Sequence, residues 1–150
     1  MKTKSTWIQK RDEHKHKPVC KMTPKGLMYI STPKEINEII RTVPKGKLIT
    51  TAQIANQLAK KYKTKFTCQI TTGIFVAIDA NASEEELQQN KLNVTPYWRV
   101  IKAKGRLYDK YLGQKSRQKE LLESEGYTIE ETKVKTAQYQ IKEYETFLVT

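Results

Sequence analysis

Between residues 32 and 62 the chain encodes two short amphipathic helices back to back, and that pairing limits the fold more than any other feature. Thr32-Pro33-Lys34-Glu35 offers a capping hydroxyl, a proline at the first helical position and a glutamate at the third. Ile36, Ile39, Ile40 and Val43 follow at helical spacing and form one apolar stripe. Pro44-Lys45-Gly46 stops that helix. Thr50, with Gln53 three residues on, opens a second helix whose buried side carries Ile54, Leu58 and Tyr62. Its last turn is crowded by Lys60, Lys61 and Lys63, where cations suit the helix dipole. Residues 46–62 therefore read as the turn and first helix of a helix-turn-helix.

Charge placement narrows the class of partner. The formal net charge is +12 over 150 residues. Residues 1–25 carry eight Lys and Arg against Asp12 and Glu13, and residues 45–65 carry six Lys with no acid. These two stretches account for the whole excess. Most of the cations are Lys, which suits diffuse phosphate neutralisation better than bidentate reading of base edges. An anionic polymer is thus the expected partner, with nucleic acid ahead of a membrane surface because no strong cationic amphipathic helix stands out. The competing reading is that excess Lys only keeps the domain soluble. The longest apolar run, Ile74 to Ile78, is far too short to span a bilayer, and the charged stretch after Met1 is not a secretory signal. Two cysteines, Cys20 and Cys68, make no disulfide framework, so a cytoplasmic protein is expected. His14, His16 and Cys20 lack a fourth metal ligand and read as solvated residues; no metal and no cofactor are expected.

The rest of the chain gives coarser signals. Residues 1–31 read as a basic N-terminal arm with few apolar anchors, Trp7 among them. Phe66 to Ile78 is rich in β-branched residues, which favours a strand, yet it stands where a recognition helix would follow. Periodicity does not decide between them. Ser83 with Glu86 marks a short acidic helix toward Asn90. Tyr97 to Tyr108 reads as a hairpin turning through Lys102-Ala103-Lys104-Gly105. A helix from about Lys115 should end with Gly126 just beyond it. Val134, Ala137, Ile141, Tyr144 and Leu148 step by three and four, predicting a C-terminal amphipathic helix over 128–150 packed on the same domain. The expected fold is α+β and mostly helical, with one small hairpin.

Three segments in order resemble one known family. Val43-Pro44-Lys45-Gly46-Lys47 and Ile49-Thr50-Thr51-Ala52-Gln53-Ile54-Ala55 resemble the opening of the DNA-binding domain of methylated-DNA–protein cysteine methyltransferases. Thr95-Pro96-Tyr97-Trp98-Arg99-Val100-Ile101 resembles their active-site strand, usually Pro-Cys-His-Arg-Val-Ile. Tyr111-Leu112-Gly113 and Leu121-Leu122-Glu123-Ser124-Glu125-Gly126 resemble the glycine loop and closing helix. The resemblance covers about residues 32–127 and implies a winged-helix-like DNA-binding domain there.

The departures from that family carry as much as the matches. The resemblance puts Tyr97 at the acceptor cysteine, Trp98 at the activating histidine and Glu125 at the orienting glutamate, with Tyr111 beside the same pocket. Alkyl transfer needs a thiolate, and a phenol with a pKa of about 10 is no substitute. Cys68 lies outside the active-site strand and reads as a small packed core residue. The pattern resembles the alkyltransferase-like proteins, which lack the acceptor cysteine and bind alkylated guanine without repairing it. Even there it departs, since Thr51 and Gln69 align with the tyrosine and arginine that rotate and replace a flipped nucleotide. Trp98 reads as structural, and Tyr97 either fills the old pocket or stacks on a base.

The expected function is therefore a non-enzymatic DNA-binding protein of the alkyltransferase-like type that senses alkylated guanine for DNA repair, a monomer with repair proteins as partners. Lys45, Lys47, Lys60, Lys61, Lys63 and Lys65 would hold the backbone, and Gln69, Thr71, Thr72 and Gly73 would approach a groove, with Thr51 and Arg99 nearby. The alternatives are a regulatory or architectural DNA binder with no lesion preference, and an enzyme with a repurposed pocket. No Cys/His, Ser/His or paired-carboxylate constellation in the sequence favours the last.

Overall fold

The structure is a computed structural model that describes residues 6–108, 114–133 and 137–149; side chains are described for these except at 114–115, 132–133 and 137–138. It is mixed α+β, with helices around three small sheets. Both predicted caps are present. Helix α2 (Pro33–Arg41) starts on Thr32, whose hydroxyl accepts from the Glu35 N–H at 3.2 Å. Helix α3 (Thr51–Lys61) has a full capping box between Thr50 and Gln53. Ile36, Ile40, Val43, Ile54 and Leu58 are all buried, so the two stripes meet in one core. Glu35 turns away from its own cap and instead accepts from Tyr29, Ser31 and Tyr62.

The ambiguous stretch resolves into both forms. Strand β4 is only Phe66–Thr67, and helix α4 then runs from Gln69 to Gln88. Twenty residues make it about 30 Å long. Burial around its second half, from Asp79 to Glu86, outweighs the strand preference of its β-branched residues. The separate acidic helix opening at Ser83 does not form: the Ser83 hydroxyl donates to the Asp79 carbonyl at 2.9 Å inside the continuous helix.

Three further expectations are corrected. Residues 6–30 are not a loose arm but helix α1 (Trp7–Asp12) and an antiparallel pair, β1 (Val19–Thr23) and β2 (Gly26–Ile30), with β4 added in parallel to β2. Helix α1 packs along α4, where Arg11 is buried against Glu86 and the Ile8 N–H donates to Glu85 at 2.8 Å. The hairpin over 97–108 is also absent. Tyr97–Arg99 forms a 3-10 turn, and strand β5 (Val100–Ile101) pairs in parallel with β3 (Ile49–Thr50), a partner distant in sequence. Finally, the C-terminal segment is not a helix. Strands β6 (Ile129–Lys133) and β7 (Ala137–Ile141) form an antiparallel hairpin, followed by a 3-10 turn at Tyr144–Phe147. Helix α5 (Gln114–Ser124) ends as expected, with Gly126 at φ +98.

Two apolar clusters fill the interior, and Trp98 packs against both. Gln118 of α5, fully buried, fastens the segment between them. Its amide donates to the carbonyls of Trp98 (3.1 Å) and Val100 (2.8 Å) and accepts from the Tyr108 N–H at 2.8 Å. The same link fixes the position of Tyr108.

Candidate nucleic-acid interface

The segment expected to carry the old reactive centre is closed. Tyr97 is fully buried in the larger apolar cluster, and its hydroxyl donates to Glu84 Oε1 at 2.5 Å. Burial and the neighbouring Glu84 both push the phenol well above its ordinary pKa, so it stays protonated. Arg117 Nε donates to the same oxygen, Glu84 Oε1, at 3.0 Å. Because residues 97–99 form a 3-10 turn, Tyr97 and Trp98 are not on opposite faces of a strand; their rings meet edge to face at 5.5 Å.

Glu125 and Arg99 are bound to each other. Arg99 Nε and Nη2 donate to the two carboxylate oxygens of Glu125 at 2.9 and 2.6 Å, and Nη1 donates to the Val43 carbonyl at 2.7 Å. Burial works to raise the Glu125 carboxyl, but Arg99, Trp98 and Lys45 together outweigh it and hold it below the usual range. Arg99, expected near the DNA, thus joins the end of α2 to the end of α5 through its guanidinium. Thr72, expected to approach a groove, faces inward. It is buried, and its hydroxyl donates to the Cys68 carbonyl at 2.7 Å. Thr71, half-buried, makes the same bond at 3.2 Å. Cys68 is a half-buried residue at the N-cap of α4 rather than a core residue; burial opposes thiolate formation, but Thr71 and the first amides of α4 pull its pKa net downward. Tyr111 lies outside the described residues.

What α4 leaves open is its first half. Gln69 is exposed, Ile70 is 77% and Ile74 51% exposed, and an added Cβ at Gly73 would meet nothing within 4 Å. These residues recur at helical spacing and make an apolar edge on the solvent side, the reverse of an ordinary surface helix. A cavity of about 500 Å³ runs along this edge. Alongside Ile70, Gly73 and Ile74 it is lined by Trp7 of α1, by Tyr108 and by Lys102. Thr51, at the start of α3, lies beside the Tyr108 hydroxyl.

The lysines of this region fall into two groups. Lys60, Lys61, Lys63 and Lys65 are exposed at the end of α3 and in the short link that leads through β4 into α4. Lys45 and Lys47 are exposed in the turn before α3. Eleven residues of α3 put the two groups about 16 Å apart along its axis. Lys61 is partly compensated, with its ammonium 3.8 Å from Glu35.

Several residues of this surface escape the sequence reading. Trp7, Tyr108 and Lys102 come from segments far from α4 in the chain, and no local signal joins them. Ile70 and Ile74 do carry one, an i, i+4 apolar spacing, but β-branching masks it. His14 and His16 make ring contacts with Phe75 of α4, and among the described residues no group of three or more His, Cys, Asp or Glu could hold a metal. No helix among the described residues is long and apolar enough to cross a membrane.

Comparison with known proteins gives one family and one fold. The model of the family described as 6-O-methylguanine DNA methyltransferase, DNA binding domain, matches residues 31–127. Among solved structures, S. pombe Atl1 in complex with damaged DNA containing O6-carboxymethylguanine is similar at 19% identity and a TM-score of 0.53. S. pombe ATL in complex with DNA is similar at 21% identity and a TM-score of 0.54. Each alignment covers 79% of this chain and 94% of the other, and at these identities the likeness shows the fold. No curated protein matches the chain.

Proposed function

This chain belongs to the family of the 6-O-methylguanine DNA methyltransferase DNA-binding domain, and from that premise we propose that it binds double-stranded DNA and senses alkylated guanine without accepting the alkyl group. The observation that carries the proposal is Tyr97. At the position that the resemblance gives to the acceptor there is a fully buried phenol bonded to Glu84, with no sulfur to attack a carbon. Trp98 stands where the activating histidine would, and an indole cannot take a proton from a nucleophile. Glu125, the orienting carboxylate of the family, is tied to Arg99.

Binding rests on other residues. Lys45, Lys47, Lys60, Lys63 and Lys65, all exposed, neutralise backbone phosphates, with a smaller share from Lys61. The open edge of α4, from Gln69 to Ile74, enters a groove, where Ile70 supplies the kind of apolar wedge that unstacks base steps. Support for lesion sensing comes from the fold it shares with two proteins solved on DNA, one of them holding an alkylated guanine. Repair proteins are the partners that would follow from a lesion held but not repaired. The test is intact-protein mass after incubation with a duplex containing O6-methylguanine. The mass stays unchanged while the complex forms; gain of one methyl group would overturn the reading.

A further inference from the structure

We infer that the hairpin of β1 and β2 is a second DNA-contacting element, in which Lys21 and Lys25 bind backbone phosphates beyond those held by the lysines at the end of α3. The inference rests on the proposed DNA binding and adds a surface to it. That surface lies outside the part matched by the family model, which begins at residue 31. Lysines in a loose arm would simply be solvated, whereas these two stand on a fixed ladder of five paired positions.

The ladder is joined to the link that leads into α4. The Lys65 N–H donates to the Leu27 carbonyl and the Cys68 N–H to the Tyr29 carbonyl, each at 2.9 Å, while Met28 and Tyr29 stand in register with Phe66 and Thr67. The turn of the hairpin lies against Lys65. A Cβ on Gly26 would stand 2.6 Å from Lys65 Cδ, and the φ of +120 at Gly26 is one that side chains rarely adopt. The Lys65 stem therefore crosses the backbone one residue from Lys25. Lys21 pairs with Met28, and Met28 with Phe66, so two strand spacings put Lys21 about 10 Å across the sheet from β4.

Lys21, Lys25, Lys63 and Lys65 are all exposed, and among the described residues no ion pair engages any of them. Neither segment brings a counter-charge of its own, because no Asp or Glu occurs from residue 14 to 34 or from 39 to 78. Glu35, which reaches Tyr29 of β2, is already engaged by Ser31, Tyr62 and Lys61 as well. Such a corner suits a polyanion, and duplex DNA, with one negative charge per about 1.7 Å of axis, offers phosphates across its whole width. The turn is also closed on itself. The Thr23 hydroxyl donates to the Gly26 carbonyl at 2.7 Å and accepts from the Lys25 N–H at 3.2 Å, so little backbone ordering remains to be lost on binding.

The experiment measures duplex affinity across a salt series for three proteins: the wild type, the double variant Lys21→Ala, Lys25→Ala, and a charge-matched control, Lys91→Ala, Lys142→Ala, at two exposed lysines on other parts of the chain. Loss of two phosphate contacts flattens the slope of log affinity against log salt by about 1.8, at about 0.9 each. From about 50 to 200 mM salt the wild type then loses about ten-fold more affinity than the hairpin variant, while the control keeps the wild-type slope. Acetylation of the wild type by acetic anhydride, read by peptide mass, shows Lys21 and Lys25 protected when duplex is bound. An unchanged slope in the hairpin variant, equal flattening in the control, or equal reactivity of the two lysines with and without DNA overturns the contact; wild-type duplex binding then still stands. Failure of the wild type to bind duplex overturns the proposed function and this contact with it.

Discussion

Tyr97 is built into the core as a structural residue. The ring is fully buried and its hydroxyl is bonded to Glu84, so truncation should be felt as lost packing. Tyr97→Ala is expected to cost about 3–5 kcal/mol in urea unfolding and to leave the duplex affinity of the folded protein unchanged. Loss of lesion preference at unchanged stability would show instead that the ring reads a base. Tyr97→Cys should gain no methyl group from alkylated DNA, because Trp98 still stands in place of the base. A second buried group makes a pH-dependent prediction. Among the described residues neither carboxylate oxygen of Asp79 has a hydrogen-bond partner, and burial holds its pKa well above the usual range, with Arg11 opposing. A carboxyl raised in the folded state binds its proton more tightly there than in the unfolded chain. Stability from this group therefore falls as pH climbs above about 4 and levels off past the folded pKa. Asp79→Asn lacks that slope, so its unfolding free energy should gain on the wild type between pH 5 and pH 8; a constant difference across that range would contradict the assignment.

Helices α2 and α3 were legible because their signals are local. The caps at Thr32 and Thr50 and the isoleucine stripe act within a few residues of each other, and burial followed them. The failures share the opposite cause. Val100–Ile101 pairs with Ile49–Thr50, half the core away in sequence, and nothing in Trp98-Arg99-Val100-Ile101 encodes that partner. Ala137 and Ile141 fit a helical step equally well as the two ends of a strand, and the partner strand decides for the latter. For the site, the charges were readable but their engagement was not: Arg99 faces Glu125, and Lys61 has Glu35 beside it. Helix α3 supplies the test at this scale. Replacing Lys60, Lys61 and Lys63 together by Ala should flatten the salt dependence of DNA binding by about two units, since each phosphate contact contributes about 0.9 and Lys61 is partly compensated. An unchanged slope would move the DNA face elsewhere. Helix α1 supplies another. Arg11→Ala leaves the buried Glu86 without its cation and should cost about 3–5 kcal/mol in urea unfolding.

For the whole molecule, a net charge of +12 drawn from two segments predicts steep electrostatic binding. With about 5–7 phosphate contacts, the slope of log affinity against log salt should be about −4.5 to −6. Electrostatics alone, however, does not separate a lesion sensor from an architectural binder, because phosphates look alike in damaged and undamaged DNA. Beyond its charge, the molecule has a fully buried Tyr97 and an open apolar edge on α4, and the proposed function rests on the first of these. The most direct measurement is a pair of equilibrium titrations at one salt concentration, on duplexes identical except for a single O6-methylguanine. Tighter binding to the alkylated duplex, with the protein recovered unmodified, is the predicted result; equal affinity for the two duplexes would contradict it.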